Sequence, residues 1–113
     1  MECIFCKIAQ KKQPAKIIYE DDLSVAFEDI HPQSPVHTLL IPKKHIPTNL
    51  DIKEKDASLI GHLFQVANKI ARDKNIAERG FRLVMNCNYE AGQTIFHLHL
   101  HLLGGRKMHW PPG

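Results

Sequence analysis

The sequence predicts an α+β domain in which a mostly antiparallel sheet of about five strands carries one long helix on one face. Apolar residues recur at helical spacing between about Asp56 and Lys74, which predicts that helix. Short runs of β-branched and aromatic residues between turn residues predict the strands, and the run from Phe96 to Leu103 begins with a strict alternation. The length of 113 residues suits a single domain over residues 1–113.

Composition and charge exclude several classes of protein. The hydrophobic content of 43% and the charged content of 24% are typical of a soluble globular protein. The net charge of +3 comes from scattered lysines, so we expect no nucleic-acid partner. No apolar run approaches the ~20 residues that span a bilayer, and we expect no membrane partner. Three cysteines, without a visible export signal, predict reduced thiols and a cytoplasmic location.

The first half of the chain predicts three strands. Ile17 to Glu20 and Ser24 to Glu28 form a hairpin, and the mostly apolar run from His37 to Pro42 forms a central strand. Asp29 closes the second strand, where a carboxylate either caps the chain or binds the hydroxyl groups of a sugar. Two prolines in the segment 30–35 predict a loop before the third strand.

The long helix and the strand after it complete the predicted core. Asp51 and Glu54 have the spacing of a capping box and predict a helix start there. His62 lies on the helix and is interpreted as structural or exposed. Phe81 to Cys87 predicts a fourth strand, which pairs with the strand of histidines as a second hairpin.

The loop before the histidine strand carries a weak signal for anion binding. Gly92 permits a positive φ, so successive N–H groups in the Gly92-Gln93-Thr94 segment can form a nest for an anion. The hydroxyl group of Thr94 adds a further hydrogen-bond donor beside it.

Three histidines occupy one face of the last strand. His97, His99 and His101 alternate with large apolar residues, each step of two residues covering roughly 7 Å. The outer two are about 13–14 Å apart along a strand, too far for all three to bind one ion. Spacing alone leaves catalysis and a metal or structural role equally open.

Cys3 and Cys6 form a C-x-x-C unit near the N-terminus. Such a pair can bind zinc, act as a redox couple or bury two small side chains. A redox role requires a thioredoxin-like βαβ pattern, which is not visible here. Zinc requires two further ligands, which the eight histidines can supply, so zinc and buried thiols both remain open.

The histidine strand, the loop before it and the tail after it together resemble the histidine triad family, whose mark is His-x-His-x-His followed by two apolar residues. The resemblance is strongest to the Hint-type branch, the nucleoside phosphoramidases, and covers nearly the whole chain. The segments that carry it are Ala15 to Asp22, Asp29-Ile30, His37 to Ile46 and Gly104 to Gly113.

The resemblance implies a fold, an assembly and a ligand. Two five-stranded sheets would join edge to edge in a homodimer, giving a continuous ten-stranded sheet. Each subunit would bind a purine nucleotide such as AMP or GMP, or adenosine. Trp110 lies between Met108 and Pro111-Pro112, and a free tail would leave this apolar surface in water, so we expect the tail to lie against the partner subunit near its active site.

The resemblance also implies the roles of individual residues. His99 would be the nucleophile that forms a nucleotidyl-histidine, His101 would contact the phosphate, and His37 would hydrogen-bond to the nucleophile and polarise it. Thr94 would touch the phosphate and the leaving group. The implied nucleotide-binding set is Asp29 for the ribose, Ile30 for the base, and Asn86, Gly92, Gln93, Thr94, His99 and His101 around ribose and phosphate. A structural zinc would be held by Cys3, Cys6, His45 and His97.

The predicted reaction is hydrolysis of the P–N bond of purine nucleoside 5′-phosphoramidates, such as AMP-lysine or AMP-NH2, with release of AMP. Related uridylyl transferases carry glutamine where this chain has His101, which favours hydrolysis. An imidazole nucleophile near neutral pH requires no divalent metal for this chemistry. The alternatives are a dinucleoside polyphosphate hydrolase, a metallohydrolase with His97 and His99 as ligands, and a zinc-containing nucleotide-binding adaptor with incidental turnover. Glu28 is a departure, because close relatives commonly have histidine there.

Overall fold

The computed structural model describes residues 3–113, so Met1 and Glu2 of the predicted 1–113 domain lie outside it. One five-stranded antiparallel sheet has the spatial order β1-β2-β3-β5-β4. The helices and strands are α1 Ile4–Ala9, β1 Ile17–Glu20, β2 Ser24–Glu28, β3 Val36–Pro42, α2 Ala57–Asp73, β4 Phe81–Val84 and β5 Leu100–Gly104. The α+β prediction is confirmed, as is the central position of β3.

Each face of the sheet packs against a helix. On one face, the apolar stripe of the 17-residue α2 covers a core that includes Ala26, Leu40, Leu100 and Leu102. On the other face, the six-residue α1 brings Phe5 and Ile8 against Val25, Phe27, Leu39 and Ile41. The sequence predicts the first layer but not the second, because six residues cannot display a helical period. Within residues 3–113, no helix combines the length and apolarity needed to cross a membrane.

The long helix begins later than its predicted start. The predicted pairing of Asp51 with Glu54 is wrong, since Asp51 instead accepts hydrogen bonds from the backbone and side chain of Thr48. A second short turn follows, in which the Asp56 carboxylate accepts from the backbone N–H of Lys53 at 2.9 Å. Two consecutive 3-10 turns therefore precede α2, and each is capped by an aspartate three positions after its N-cap residue, Asp51 after Thr48 and Asp56 after Lys53.

The predicted strands around the histidines are shorter than the sequence indicates. β4 ends at Val84 and β5 begins at Leu100, so His97 to His99 precede the strand. The backbone N–H of Leu98 donates to the carbonyl of Ile46 at 2.6 Å, outside the β-ladder. Phe96 is 48% exposed and does not share the buried face of Leu98, Leu100 and Leu102, contrary to prediction.

The register of β3 and β5 places the histidine side chains beneath α1. His101 lies opposite Leu39 in this register, and His37 lies opposite Leu103. Because side chains alternate along a strand, Leu100 and Leu102 point to α2 while His101 points to the face of α1. The face of the sheet that carries His101 is therefore partly covered by α1.

Candidate active site and metal centre

A pocket of about 390 Å³ opens on the α1 side of the sheet. It brings together most of the predicted nucleotide-binding residues: Asp29, Ile30, Asn86, Gly92, Thr94, His99 and His101. One end is apolar, with walls from Phe5, Ile8, Phe27 and Leu39. The histidines, Asn86 and Thr94 provide polar groups. The pocket thus combines an apolar slot suited to a flat ring with donors suited to an anion.

Two predicted residues lie elsewhere. The side chain of Gln93 is buried and donates to the carbonyls of Pro47 and Ile95, so it holds its own loop together. His37 is buried next to His101, where it can act on the pocket only through that residue. Glu28 borders the pocket, but its carboxylate is paired with Lys16 at 3.2 Å and Lys74 at 3.3 Å.

The loop between β4 and β5 differs from the predicted anion nest. Gly92 has a φ of +93°, as its sequence position predicts. However, the N–H of Gly92 donates to the carbonyl of Tyr89, and the N–H of Gln93 donates to the carbonyl of Asn88. These two N–H groups close the turn, so they are not available to an anion. Thr94, which lines the pocket and is exposed, keeps its predicted place.

His99 presents an unprotonated ring nitrogen to the pocket. Its Nδ1 lies 2.8 Å from the carbonyl oxygen of His97, so Nδ1 carries the proton and donates it to that oxygen. The lone pair is then on Nε2. Burial lowers the pKa of His99, against the opposing effects of the His97 carbonyl and the charge of Asp29. The ring of Phe5 meets the His99 ring edge to face at 5.1 Å and restricts its orientation.

His101 presents the opposite group, an N–H. The backbone N–H of Gln33 donates to Nδ1 of His37 at 3.0 Å, which leaves the His37 proton on Nε2. That Nε2 lies 2.9 Å from Nδ1 of His101 and donates to it, so His101 carries its own proton on Nε2. Burial, with the nearby His99 and His37, lowers the pKa of His101 to about 4. At neutral pH His101 is a neutral hydrogen-bond donor.

The partner of His37 is a correction to the predicted arrangement. The resemblance implies that His37 hydrogen-bonds to His99, whereas the structure joins His37 to His101. The reason is the register, because His37 and His101 both project from paired strands, whereas His99 precedes β5 and bonds to the backbone of His97.

Asp29, His37 and His101 lie close enough to resemble a metal site, yet their hydrogen bonds oppose one. A metal ligand must offer a lone pair. With a metal on His37 Nε2, the proton would move to Nδ1 and face the N–H of Gln33. Two donors would then point at each other, so this cluster is better described as a hydrogen-bonded pair of histidines beside a carboxylate.

A second cluster, Cys3, Cys6, His45 and His97, has the arrangement of a closed metal centre. The sulfur of Cys3 lies 3.3 Å from Nδ1 of His97, and the sulfur of Cys6 lies 3.3 Å from Nδ1 of His45. The two Nδ1 atoms are 3.2 Å apart. Tetrahedral zinc with bonds of about 2.0–2.3 Å requires edges of roughly 3.3–3.8 Å, so the four residues fit the ion.

The surroundings of His97 support the same fit. Its Nε2 lies 2.8 Å from the carbonyl oxygen of Pro42 and donates to it, which leaves the lone pair on Nδ1. Ligating histidines commonly donate their second nitrogen to a carbonyl in this way. His97 therefore faces the cysteines, whereas His99 faces the pocket. A metallohydrolase that uses both as ligands of one ion does not agree with this geometry.

Two contributors to the site escape sequence reasoning. Gln33 acts through its backbone N–H, which any residue except proline provides, so no side-chain signal marks it. Phe5 lies inside the C-x-x-C unit and contacts both His97 and His99 with its ring. A large apolar residue between two cysteines is a signal for burial, although its partner becomes apparent only in the fold.

Comparisons with known proteins identify the family of this chain. Residues 2–110 match the domain family described as scavenger mRNA decapping enzyme C-term binding. A HIT-like protein of Synechocystis sp. is 53% identical over 112 residues, which cover 99% of this chain and 97% of that protein. The purine nucleoside phosphoramidase of Escherichia coli K12 is 48% identical over 107 residues, 95% of this chain and 90% of that protein.

Solved structures show the same fold. The crystal structure of a HIT family hydrolase from Legionella pneumophila Philadelphia 1 superimposes with a TM-score of 0.98 at 50% identity, and the match covers 99% of this chain and all of that one. A histidine triad protein from Clostridium difficile gives a TM-score of 0.93 at 44% identity, covering 96% of this chain and 94% of that one. This chain therefore belongs to the histidine triad (HIT) family and is an enzyme of the histidine triad type.

Proposed function

We propose that the enzyme hydrolyses the P–N bond of purine nucleoside 5′-phosphoramidates through a nucleotidyl intermediate on His99, releasing AMP from an adenosine substrate. The observation that carries the proposal is the pair of opposite groups in the pocket, a lone pair on His99 Nε2 beside an N–H on His101 Nε2. The name of the similar protein from E. coli, purine nucleoside phosphoramidase, supports the same substrate class.

The pocket can orient such a substrate. The purine would lie between the apolar side chains of the slot, next to Ile30, which is 85% exposed and gains cover when a base stacks on it. Asp29 would accept hydrogen bonds from the ribose hydroxyl groups. Asn86, Thr94 and His101 would surround the phosphoryl group, and His99 would approach the phosphorus atom.

In the first step, Nε2 of His99 attacks phosphorus with its lone pair and the P–N bond breaks. The departing nitrogen takes the bonding electrons and gains a proton from water in the open pocket, so the products are a neutral amine and a hydroxide ion, which the proton released in the second step neutralises. Donation from His101 and Thr94 stabilises the negative charge on the phosphoryl oxygens. The carbonyl of His97 stabilises the positive charge that develops on the His99 ring.

In the second step, water attacks phosphorus and the bond to His99 breaks. The electrons return to Nε2, one proton goes to solvent, and the nucleoside monophosphate leaves. Dividing the displacement into two steps lets one histidine act as both nucleophile and leaving group.

His99→Ala tests this proposal. We expect phosphoramidate hydrolysis to fall to near background while AMP still binds, because the base and ribose contacts lie elsewhere. His101→Ala should cost less, about 10²–10⁴-fold, the usual contribution of one charge-stabilising group. His62→Ala is the matched control, since His62 pairs with Asp21 outside the pocket.

Labelled substrate locates the intermediate. A substrate labelled at the α-phosphorus should transfer the label to His99 when the reaction is quenched without acid, since phosphohistidine is acid-labile. Label on another residue, or substantial turnover by His99→Ala, would exclude the covalent assignment. A diadenosine polyphosphate assayed beside the phosphoramidate distinguishes the rival hydrolase, which would favour the dinucleotide.

We also propose that Cys3, Cys6, His45 and His97 hold a structural zinc ion. When bound, zinc would cross-link the N-terminal segment to the segment of His97 and take no part in the reaction. The fit of the four donor atoms to a tetrahedron and the bond from His97 to Pro42 support this role.

A further inference from the structure

Asp29, His37 and His101 lie in a row beside the pocket, and both Asp29 and His101 line it. Oδ2 of Asp29 lies 3.3 Å from Nε2 of His37, and that nitrogen donates to Nδ1 of His101 at 2.9 Å. The His37 side chain is 4% exposed and that of Asp29 is 18% exposed. Because water is largely excluded from His37, the carboxylate acts on it through a medium of low effective dielectric constant.

The backbone fixes the direction of the hydrogen bond between His37 and His101. Gln33 N–H occupies the lone pair of His37 Nδ1, so the only proton of the neutral His37 ring faces Asp29 and His101. The negative charge of Asp29 favours a proton at that position. The same charge opposes the alternative in which His37 Nε2 presents a lone pair to the carboxylate.

The tautomer of His101 follows from that of His37. With a donor at Nδ1, His101 must carry its proton on Nε2, which is the group that faces a bound phosphoryl oxygen. In the other tautomer, His101 would present a lone pair to an anion, and the two would repel. The charge of Asp29, together with the N–H of Gln33, therefore favours the tautomer in which His101 offers a donor to the pocket.

We propose that Asp29 is a positioning residue for His101, acting through His37, as well as the ligand of the ribose. The inference rests on the proposed function for its role in turnover. Asp29 acts on His37 through its charge, and His37 donates to His101, so Asp29 contributes to kcat as well as to binding.

Asp29→Asn separates this role from a structural one. Asparagine has the same shape, and its carbonyl oxygen can still accept from the backbone N–H of His31, which Asp29 holds at 2.8 Å. The charge is lost, and the amide group that replaces Oδ2 turns an N–H towards Nε2 of His37, where it favours a lone pair over a proton. Asp73→Asn, which removes an exposed carboxylate at the end of α2, is the matched control.

The first measurement is nitrogen NMR of the histidine rings in the ligand-free protein. In the wild type and in Asp73→Asn, His101 should show a protonated Nε2 and an unprotonated Nδ1. In Asp29→Asn, both nitrogens should move towards averaged shifts, because the two tautomers mix. A second variant, Gln33→Pro, removes the N–H that donates to Nδ1 of His37 and should cause the same mixing. Unchanged His101 spectra in Asp29→Asn would overturn the proposal, whatever Gln33→Pro shows.

The second measurement compares adenosine 5′-phosphoramidate with its 2′,3′-dideoxy analogue, which has no hydroxyl groups for Asp29 to bind. We expect Asp29→Asn to lower kcat by roughly 10-fold on both substrates, the effect of losing one polar contact to a charged group. If Asp29→Asn impaired turnover of the ribose substrate alone, or changed KM and not kcat, Asp29 would be a ligand of the sugar and not a positioning residue. If the wild type turns over neither phosphoramidate, the proposed function fails, and the NMR spectra still decide whether Asp29 positions His101.

Discussion

Asp21 shows how much a single carboxylate can organise outside the pocket. Its Oδ1 accepts from the backbone N–H groups of Leu23 and Ser24, and its Oδ2 accepts from Tyr19 and lies 2.6 Å from Nε2 of His62. Asp21 therefore stabilises the turn between β1 and β2, and its contact with His62 joins that turn to α2. Sequence analysis treats His62 as structural or exposed, and the structure confirms a structural contact.

The carboxylate of Asp21 should make stability depend on acid pH. Burial raises its pKa, but the hydrogen bonds from Leu23, His62, Tyr19 and Ser24 together bring it well below the ordinary value. The stabilisation is thus complete above the unfolded-state pKa of about 4 and is lost as the pH falls below it. Asp21→Asn should lower the free energy of unfolding by about 1–2 kcal/mol at pH 7 and by progressively less below pH 4.

Thermal unfolding of both proteins between pH 2.5 and pH 7 measures this difference. Asp22→Asn is the control, since it neutralises the adjacent exposed carboxylate. A difference that stays constant across the pH range would show that the bonds of Asp21 do not depend on its charge.

Several of the predicted site residues lie together in the structure because a local sequence pattern sets their position. Asp29, His99 and His101 reach the pocket because each follows or lies within a recognisable strand pattern. The partner of His37 is wrong because it depends on the register between β3 and β5, which no local pattern encodes. Gln93 is misplaced because a glutamine can bind a ligand or its own loop with the same groups.

At the scale of secondary structure, the hydrophobic period predicts α2 and the central β3 well, since many residues contribute to each pattern. The boundaries are less predictable. The start of β5 depends on the bond from Leu98 to Ile46, a contact between segments that are distant in the chain. α1 is too short to show a period, and its position is set by tertiary contacts of Phe5 and Ile8.

Loss of the proposed zinc should release α1 from the sheet. Cys6→Ser should abolish zinc binding, which elemental analysis of the metal-replete wild type should show at about one ion per chain. The melting temperature should fall by at least about 10 °C, because a cross-link worth roughly 2 kcal/mol or more shifts a domain of this size by that amount.

Cys87→Ser provides the control, because Cys87 lies outside the four-residue cluster and is also half-buried. Metal-free wild type should unfold like Cys6→Ser. A wild type that contains no zinc after growth and purification with zinc present would identify Cys3 and Cys6 as buried thiols.

At the scale of the whole molecule, the C-terminal tail of the single chain exposes apolar surface to water. Trp110 is 82% exposed, and the contacts of the tail with its own subunit include a bond from Arg82 to the carbonyl of His109. A second subunit that covers this tail would remove the ring of Trp110 from water. The predicted homodimer remains a prediction, and the exposure of Trp110 is the observation that motivates it.

Deleting residues 106–113 should change the preference among leaving groups more than the affinity for AMP. We expect the ratio of kcat/KM between large and small amines to change by about 10-fold, the scale of one lost apolar contact, while the Kd for AMP stays within about twofold. Light scattering of both proteins reports the oligomeric state. An unchanged ratio would mean that the tail does not border the leaving group, and a monomeric full-length chain would exclude the dimer.

The strand order also dictates when the molecule can become an enzyme as it folds. The pairing of β1 with β2 and of β2 with β3 joins neighbours in sequence, so this meander needs only short loops to close. β4 is synthesised before β5, yet within residues 3–113 its sheet partner is β5, which inserts between it and β3. The insertion also brings His97 to Cys3, which lies 94 residues earlier in the chain. Catalytic competence and the last of the sheet should therefore arise in a single late folding event.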